Sequence, residues 1–213
     1  MRGNLIRTEV EDLLHSEESY VTTYTYDAVG NRLTQTKTMT GQTETTQYTY
    51  NSLNQLLTST TTTADGTVTE SKTYQYDANG NQIREADSVR NTETQNAYDP
   101  AGRLAGCIQK ENGQVTLEQT NQYNGSGARI RKTENGSVTN YYYSQGGVLY
   151  TEDGSGKGTS LNLQGISGNI IATAREEAGT QSYYYYHKNL AKSTTNLRSA
   201  DGTSVVCSLP NPG

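Results

Sequence analysis

The chain has 213 residues and a formal net charge of −5, with no run of Lys or Arg, which argues against a nucleic-acid groove. No stretch approaches the roughly 18 apolar residues a membrane helix needs. The N-terminal "MRGNLIRTEVEDLL" lacks the apolar h-region of a signal peptide. Leu, Ile and Val together make up only 32 residues, and Phe and Trp are absent. That is the thin apolar stock of a disordered chain, but the weak net charge supplies little self-repulsion. The bulk lies instead in 33 Thr, 17 Tyr and 21 Gly, with 3 Pro. Thr and Tyr favour half-buried pleated surfaces, and Gly, Asn and Asp supply turns. The composition predicts an all-β protein with a modest core, in which Tyr rings carry much of the burial.

In chain order, Gly3-Asn4-Leu5-Ile6 matches Gly30-Asn31-Arg32-Leu33 without a preceding Tyr-Asp, so the pattern opens in mid-phrase and exposed sheet edges are expected. The full phrase arrives as "YDAVGNRLTQT" at 26–36 and returns as "YDANGNQIREA" at 76–86. Its centres are Tyr26-Asp27, Tyr50-Asn51, Tyr76-Asp77, Tyr98-Asp99 and Tyr123-Asn124, at intervals of 24, 26, 22 and 25 residues. The first three have a second tyrosine two residues earlier, Tyr24, Tyr48 and Tyr74, on the same face of a strand. Asp27 suits the first position of a type I turn, and Gly30 the left-handed position after it, which closes a hairpin with a bulge. Gly80, Gly102 and Gly127 recur at that offset, and Asn54 stands there in the second unit as the next-best residue for positive φ. Each unit resumes with an aliphatic residue: Leu33, Leu56-Leu57, Ile83, Leu104 and Ile130.

Between these centres lie Gly41, Asp65-Gly66, Asn112-Gly113 and Asn135-Gly136, of which the last three are strong two-residue hairpin signals. The chain therefore reads as strand, Tyr-Asp turn, strand, Gly turn, repeated. Antiparallel hairpins in such a string form one long sheet. A repeat array is assigned to residues 1–150 and a continuation to 151–213.

These residues resemble the RHS/YD-repeat family, which includes bacterial RHS polymorphic-toxin shells, toxin-complex cocoons and animal teneurins. The Tyr-Asp centres with their following Gly and Leu or Ile carry the resemblance over roughly residues 3 to 150. It implies a curved β-sheet spiralling into a hollow shell. It also implies a non-enzymatic structural role: enclosing a C-terminal toxin or effector within a bacterial secreted or cell-surface parent. The partners implied are the rest of that shell and its effector, with no cofactor. Residues 151–213 resemble the segment that closes an RHS core, which usually has a Tyr-x-x-Asp-x-x-Gly-Ser phrase. Here Asn189 stands in place of its Asp and Lys192 in place of its Gly.

Several motifs invite chemical readings. "DGSGKGT" at 153–159 lacks a Ser or Thr directly after Lys157 and precedes strand-like sequence, so a Gly-rich turn is expected rather than a phosphate loop. "DANGN" at 77–81 puts Ser88 where a calcium loop needs Glu, and no metal is expected there. "YDPAGRL" at 98–104 contains the four letters Asp99-Pro100-Ala101-Gly102, which resemble the autoproteolytic site ending RHS shells. They are in register with the repeats, and Pro100 suits a type I turn, so a structural turn is expected. His15 and His187 have no partner at catalytic or metal-ligand spacing. The pairs Glu17-Glu18, Glu152-Asp153 and Glu176-Glu177 read as solvated charge. Cys107 and Cys207 read as separate thiols rather than a disulfide. The Tyr clusters, Tyr141, Tyr142 and Tyr143 and then Tyr183, Tyr184, Tyr185 and Tyr186, admit two readings. Alternate rings pack inward, or a Tyr-rich face binds cell-surface carbohydrate.

Overall fold

A computed structural model describes residues 3–11, 19–165, 169–177, 179–189 and 193–205. Among these there is no helix, and so none long and apolar enough to cross a membrane. His15, Glu17, Glu18, Lys192 and Cys207 lie outside the described residues. The chain divides into two compact units, Met1–Glu118 and Gln119–Gly213. The sequence boundary at 150 is one of repeat content and falls inside the second unit.

The first unit holds β1 (Arg7–Val10), β2 (Tyr20–Tyr26), β3 (Arg32–Met39), β4 (Gln42–Tyr50), β5 (Leu56–Thr63), β6 (Val68–Tyr76), β7 (Gln82–Asp87), β8 (Thr92–Tyr98) and β9 (Leu104–Glu111). It also holds the start of β10 (Gln114–Tyr123). From β1 to β9 each strand pairs antiparallel with the next. The second unit continues the meander from the end of β10 through β11 (Arg129–Glu134), β12 (Ser137–Ser144), β13 (Gly147–Asp153), β14 (Gly158–Gln164), β15 (Ile170–Glu177), β16 (Thr180–Lys188), β17 (Thr194–Ser199) and β18 (Ser204–Val205). The fold is thus all-β and antiparallel throughout, as the period-two patterning of Thr and Tyr dictates.

The two faces of the first unit differ. Tyr24 and Tyr26, Tyr48 and Tyr50, and Tyr74 and Tyr76 are half-buried, while Thr25, Thr49 and Gln75 between them are exposed on the opposite face. On that opposite face Thr25 and Thr34, and Thr49 and Thr58, share hydroxyl hydrogen bonds of 2.6 Å across strands. Such pairs are a unit of sheet stabilisation. Lys72 Nζ bridges Glu70 at 3.4 Å and Glu85 at 3.2 Å across β6 and β7, a part-exposed network of modest worth.

Among the described residues only Ala172 and Ala174 are buried hydrophobics, and no large side chain is fully buried. Among the described residues each unit is accordingly sheet with almost no buried apolar side chain. The two alanines sit on β15, flanked in register by Leu163 and Tyr185 and by Leu161 and Tyr183. Ala172 is 1% exposed, between Leu163 and Tyr185 in register. Ala172→Leu must displace one of these neighbours and is expected to destabilise by about 1–3 kcal/mol, read as a lower urea midpoint.

Two turn expectations change. Asn112-Gly113 (φ 51° and 79°) and Asn135-Gly136 (48° and 80°) are two-residue turns with both φ positive. Asp65-Gly66 instead ends a four-residue turn opened by Thr63, whose N–H bonds Thr67 O at 2.9 Å. Only Gly66 of that turn has positive φ, and the Thr63 hydroxyl donates to the Asp65 carboxylate at 2.5 Å. The second change concerns Leu104, which pairs directly with Tyr98, whereas Leu33, Leu57, Ile83 and Ile130 are the extra residues of the bulges. In the fourth unit that place belongs to Ala105.

Candidate functional site

The repeated phrase builds one local structure many times. Asp27 Oδ1 accepts the N–H groups of Val29 (3.0 Å) and Asn31 (2.8 Å), and Oδ2 accepts Asn31 Nδ2 at 2.8 Å. Asp77 does the same with Asn79 and Asn81, each bond at 2.9 Å. Asp99 holds Ala101 N at 2.9 Å and Arg103 N at 3.0 Å, with the Arg103 guanidinium at 2.7 Å on Oδ2. Asn51 and Asn124 perform the same backbone capping with an amide oxygen. Left-handed residues close the turns: Gly30, Asn54, Gly80, Gly102 and Gly127. The register shifts at Tyr26, Tyr50, Tyr76, Tyr98 and Tyr123, one bulge per centre.

These bonds set the carboxylate electrostatics. The Asn81 amide, then the backbone N–H groups, hold Asp77 below the usual carboxylate range. At Asp99 the Arg103 N–H has the larger effect, followed by its guanidinium. At Asp27 burial pushes upward, and the bonds from Asn31, Val29 and Gly30 outweigh it.

A second layer of the repeat was not legible in the sequence. Tyr26 donates its hydroxyl to Leu5 O at 2.7 Å, Tyr50 to Arg32 O at 2.9 Å, Tyr76 to Leu56 O at 3.0 Å and Tyr98 to Gln82 O at 3.1 Å. In the second unit Tyr143 donates to Arg129 O at 2.7 Å. Each acceptor lies five residues after the preceding centre, counting Leu5 by its match to Arg32. The signal was the constant phase, hidden because it links positions 14 to 21 residues apart. The partner tyrosines play other parts: Arg32 lies 4.7 Å over the Tyr24 ring, and Tyr74 shares a 3.3 Å hydroxyl bond with Ser59.

The second Tyr cluster alternates, whereas in the first Tyr142 and Tyr143 are both exposed, at a shift of register between them. Tyr142 stacks on Tyr150 with centroids 4.4 Å apart and donates to Glu152 at 2.7 Å, while Arg129 lies 5.0 Å over Tyr141. Tyr183 and Tyr185 are exposed beside the alanines, and Tyr184 and Tyr186 are half-buried on the other face. The Tyr186 and Thr173 hydroxyls lie 3.0 Å apart, and Thr173 donates to Asn162 at 2.7 Å.

The chemical motifs resolve into turns. Asp153 Oδ1 caps Ser155 N at 2.8 Å and Lys157 N at 3.1 Å, and β14 starts at Gly158, so 153–159 is a hairpin turn leading into a strand. Asn189, despite replacing Asp, still accepts Ser193 N at 3.0 Å. Lys157 pairs with Glu176 at 2.8 Å. His187 is exposed on β16. Burial pushes the half-buried Cys107 thiol up, away from a reactive thiolate. Among the described residues no three His, Cys, Asp or Glu are placed to hold a metal ion. The turn carboxylates converge on their own backbones and not on a common point.

This geometry defines the chain as an antiparallel repeat ladder of the Tyr-Asp type. No family model matches it. It is similar to the tRNA3(Ser)-specific nuclease WapA of Bacillus spizizenii, 33% identical over 173 residues, covering 80% of this chain. It is also similar to the tRNA nuclease WapA of Bacillus subtilis, 32% identical over 192 residues and 89% of this chain. The chain spans only 7% of the length of each of these curated relatives. Among solved structures, the TcdB2-TccC3-TEV crystal structure has a TM-score of 0.62 at 18% identity, covering 88% of this chain and 10% of that one. TcdB2-TccC3-Cdc42 has a TM-score of 0.63 at 18% identity, covering 86% and 10%. At that identity the likeness concerns the fold alone. The chain belongs to the RHS/YD-repeat family.

Proposed function

We propose that this chain is a wall segment of an RHS/YD-repeat shell that encloses and helps deliver a C-terminal toxin or effector. The observation that carries the reading is a ladder of hairpins with almost no buried apolar side chain among the described residues, in which the repeated polar side chains serve turns and neighbouring repeats. A wall requires strands, corners and ties between them, and it requires no catalytic constellation. The small share of the large relatives that the chain spans supports its being one stretch of a longer wall, and their nuclease names support a toxin as the parent's cargo. The partners are then the remaining shell and the enclosed effector, in a bacterial secreted or cell-surface parent, and this segment performs no catalysis itself.

The test is intact-mass and native-gel analysis of the full-length parent purified without denaturant. A C-terminal piece covalently cut yet co-migrating with the remainder is the expected result. A single uncut chain with nothing enclosed overturns the reading.

The second reading, a carbohydrate or cell-surface binding face, is favoured by Tyr183 and Tyr185, exposed beside Gln181 on β16. It expects retention of the chain on a cell-wall glycan column, lost in the double variant Tyr183→Ala/Tyr185→Ala. Equal elution of the two proteins removes it.

A further inference from the structure

The tyrosine bonds fall at one place in the ladder. Between β1 and β2 the paired register ends at Arg7↔Thr23, and between β3 and β4 at Thr34↔Gln47. It ends at Thr58↔Thr73 between β5 and β6, at Arg84↔Gln95 between β7 and β8, and at Arg131↔Asn140 between β11 and β12. In every case the accepting carbonyl lies two residues beyond the last pair on one strand. The donating tyrosine lies three residues beyond it on the other. Each of these strand pairs joins one repeat to the next. The Tyr-Asp hairpins within repeats are different, because their pairing runs up to the bulge and is locked by the turn. Beside the turns, then, successive repeats meet along a seam where a tyrosine hydroxyl bonds beyond the last register pair; at the first seam one main-chain bond, Tyr24 N–H to Ile6 O at 3.0 Å, accompanies it. Asn31 Nδ2 adds a 2.9 Å bond to Asn54 Oδ1 across the seam closed by Tyr50, and Asn96 Nδ2 reaches Gln82 O at 3.2 Å beside Tyr98.

We infer that each of these five seams is a latch closed by one tyrosine hydroxyl, and that the sheet opens locally from these turn-side seams while the hairpins themselves stay paired. The acceptors are main-chain carbonyls past the end of the register, so a rotation of one phenol leaves the strands beyond the last pair without that tie. The ring still covers the face after rotation, which separates the latch from the packing. A local opening of this kind exposes only the two or three residues past the last pair, so it costs much less than global unfolding. The inference is independent of any cargo.

Hydrogen exchange read by mass spectrometry on the 213-residue chain tests it. Tyr50→Phe removes the hydroxyl and keeps the ring. It is expected to speed exchange about two- to tenfold in peptides covering Arg32–Thr34 and Gln47–Tyr50, the effect of one net hydrogen bond. The Asp77 turn and the seam closed by Tyr76 should be unchanged. Tyr20→Phe, at a tyrosine whose ring lies under Lys37 and which closes no seam, should leave all seams unchanged. Faster exchange spread evenly over the chain, or no change, overturns the inference. If Tyr50→Phe does not fold, the unmodified chain decides. Its seam amides should exchange by a route insensitive to low urea, and a urea slope equal to that of the hairpin amides contradicts the latch.

Discussion

Gly80→Val is expected to be among the most damaging single changes in the repeat array, lowering stability by about 1–3 kcal/mol. Gly80 closes the Asp77 turn at φ +87°, a conformation that is a genuine outlier for a β-branched residue. A Cβ there would stand 3.4 Å from Gln55 Nε2 of the preceding turn, an ordinary contact with a flexible side chain, so the cost is one of backbone conformation. The loss should appear as a melting temperature lower by roughly 2–4 °C for each kcal/mol. Asn54 provides the internal comparison, since it occupies the same turn position at φ 61°. Asn54→Gly relieves the positive φ but removes the Oδ1 acceptor of Asn31 Nδ2, so it should change stability by less than about 1 kcal/mol. Thermal denaturation of the two variants side by side checks the difference. Equal losses would mean that the turn conformation is not what the glycine supplies.

The second large effect is acid destabilisation spread over many turns. Asp27, Asp77, Asp99, Asp153 and Asp201 each head a turn or cap one, and each is held below its ordinary carboxylate range. At Asp201 the Ser199 hydroxyl, followed by Thr203 N–H, brings the value to about 2. A group whose folded value lies below its unfolded one contributes stability above the unfolded value. That contribution is lost as pH falls through the folded one. For Asp201 the window runs from about pH 4, the unfolded aspartate value, down to about pH 2, and for the other four it opens at the same upper edge. Above it, stability should be flat with respect to these groups. Urea midpoints measured from pH 6 to pH 2 should fall within that window. The triple variant Asp27→Asn/Asp77→Asn/Asp99→Asn should show a shallower fall, because Asn51 and Asn124 already cap their turns with an uncharged oxygen. An unchanged pH profile in the triple variant would assign the acid sensitivity to other groups.

Local chemistry made the fold legible. The Asp-to-Gly offset of 27 to 30 and 77 to 80 dictates a turn whatever surrounds it, and Tyr at alternate positions dictates a strand. Even the substitution at Asn54 was readable, because few residues tolerate positive φ. Leu104 stands at a different offset from its Tyr than Leu33, Leu57, Ile83 and Ile130 do, and the bulge keeps the common offset by taking Ala105, so spacing and not apolarity marks the position. The turn at Gln145-Gly146, with Gln145 at φ 50°, carries no Asn or Asp to announce it. The tyrosine hydroxyls were the largest omission. Their acceptors are main-chain carbonyls in the previous repeat, and a carbonyl has no letter in the sequence. Only the register between repeats reveals them.

A cryo-electron microscopy map of the full-length parent would decide whether these strands form a wall. They are expected as a single layer within a closed wall, with density of another part of the polypeptide on one side and solvent on the other. Strands packed face to face against a second structural layer, or a wall enclosing only solvent in the uncleaved and cleaved parent alike, would contradict it.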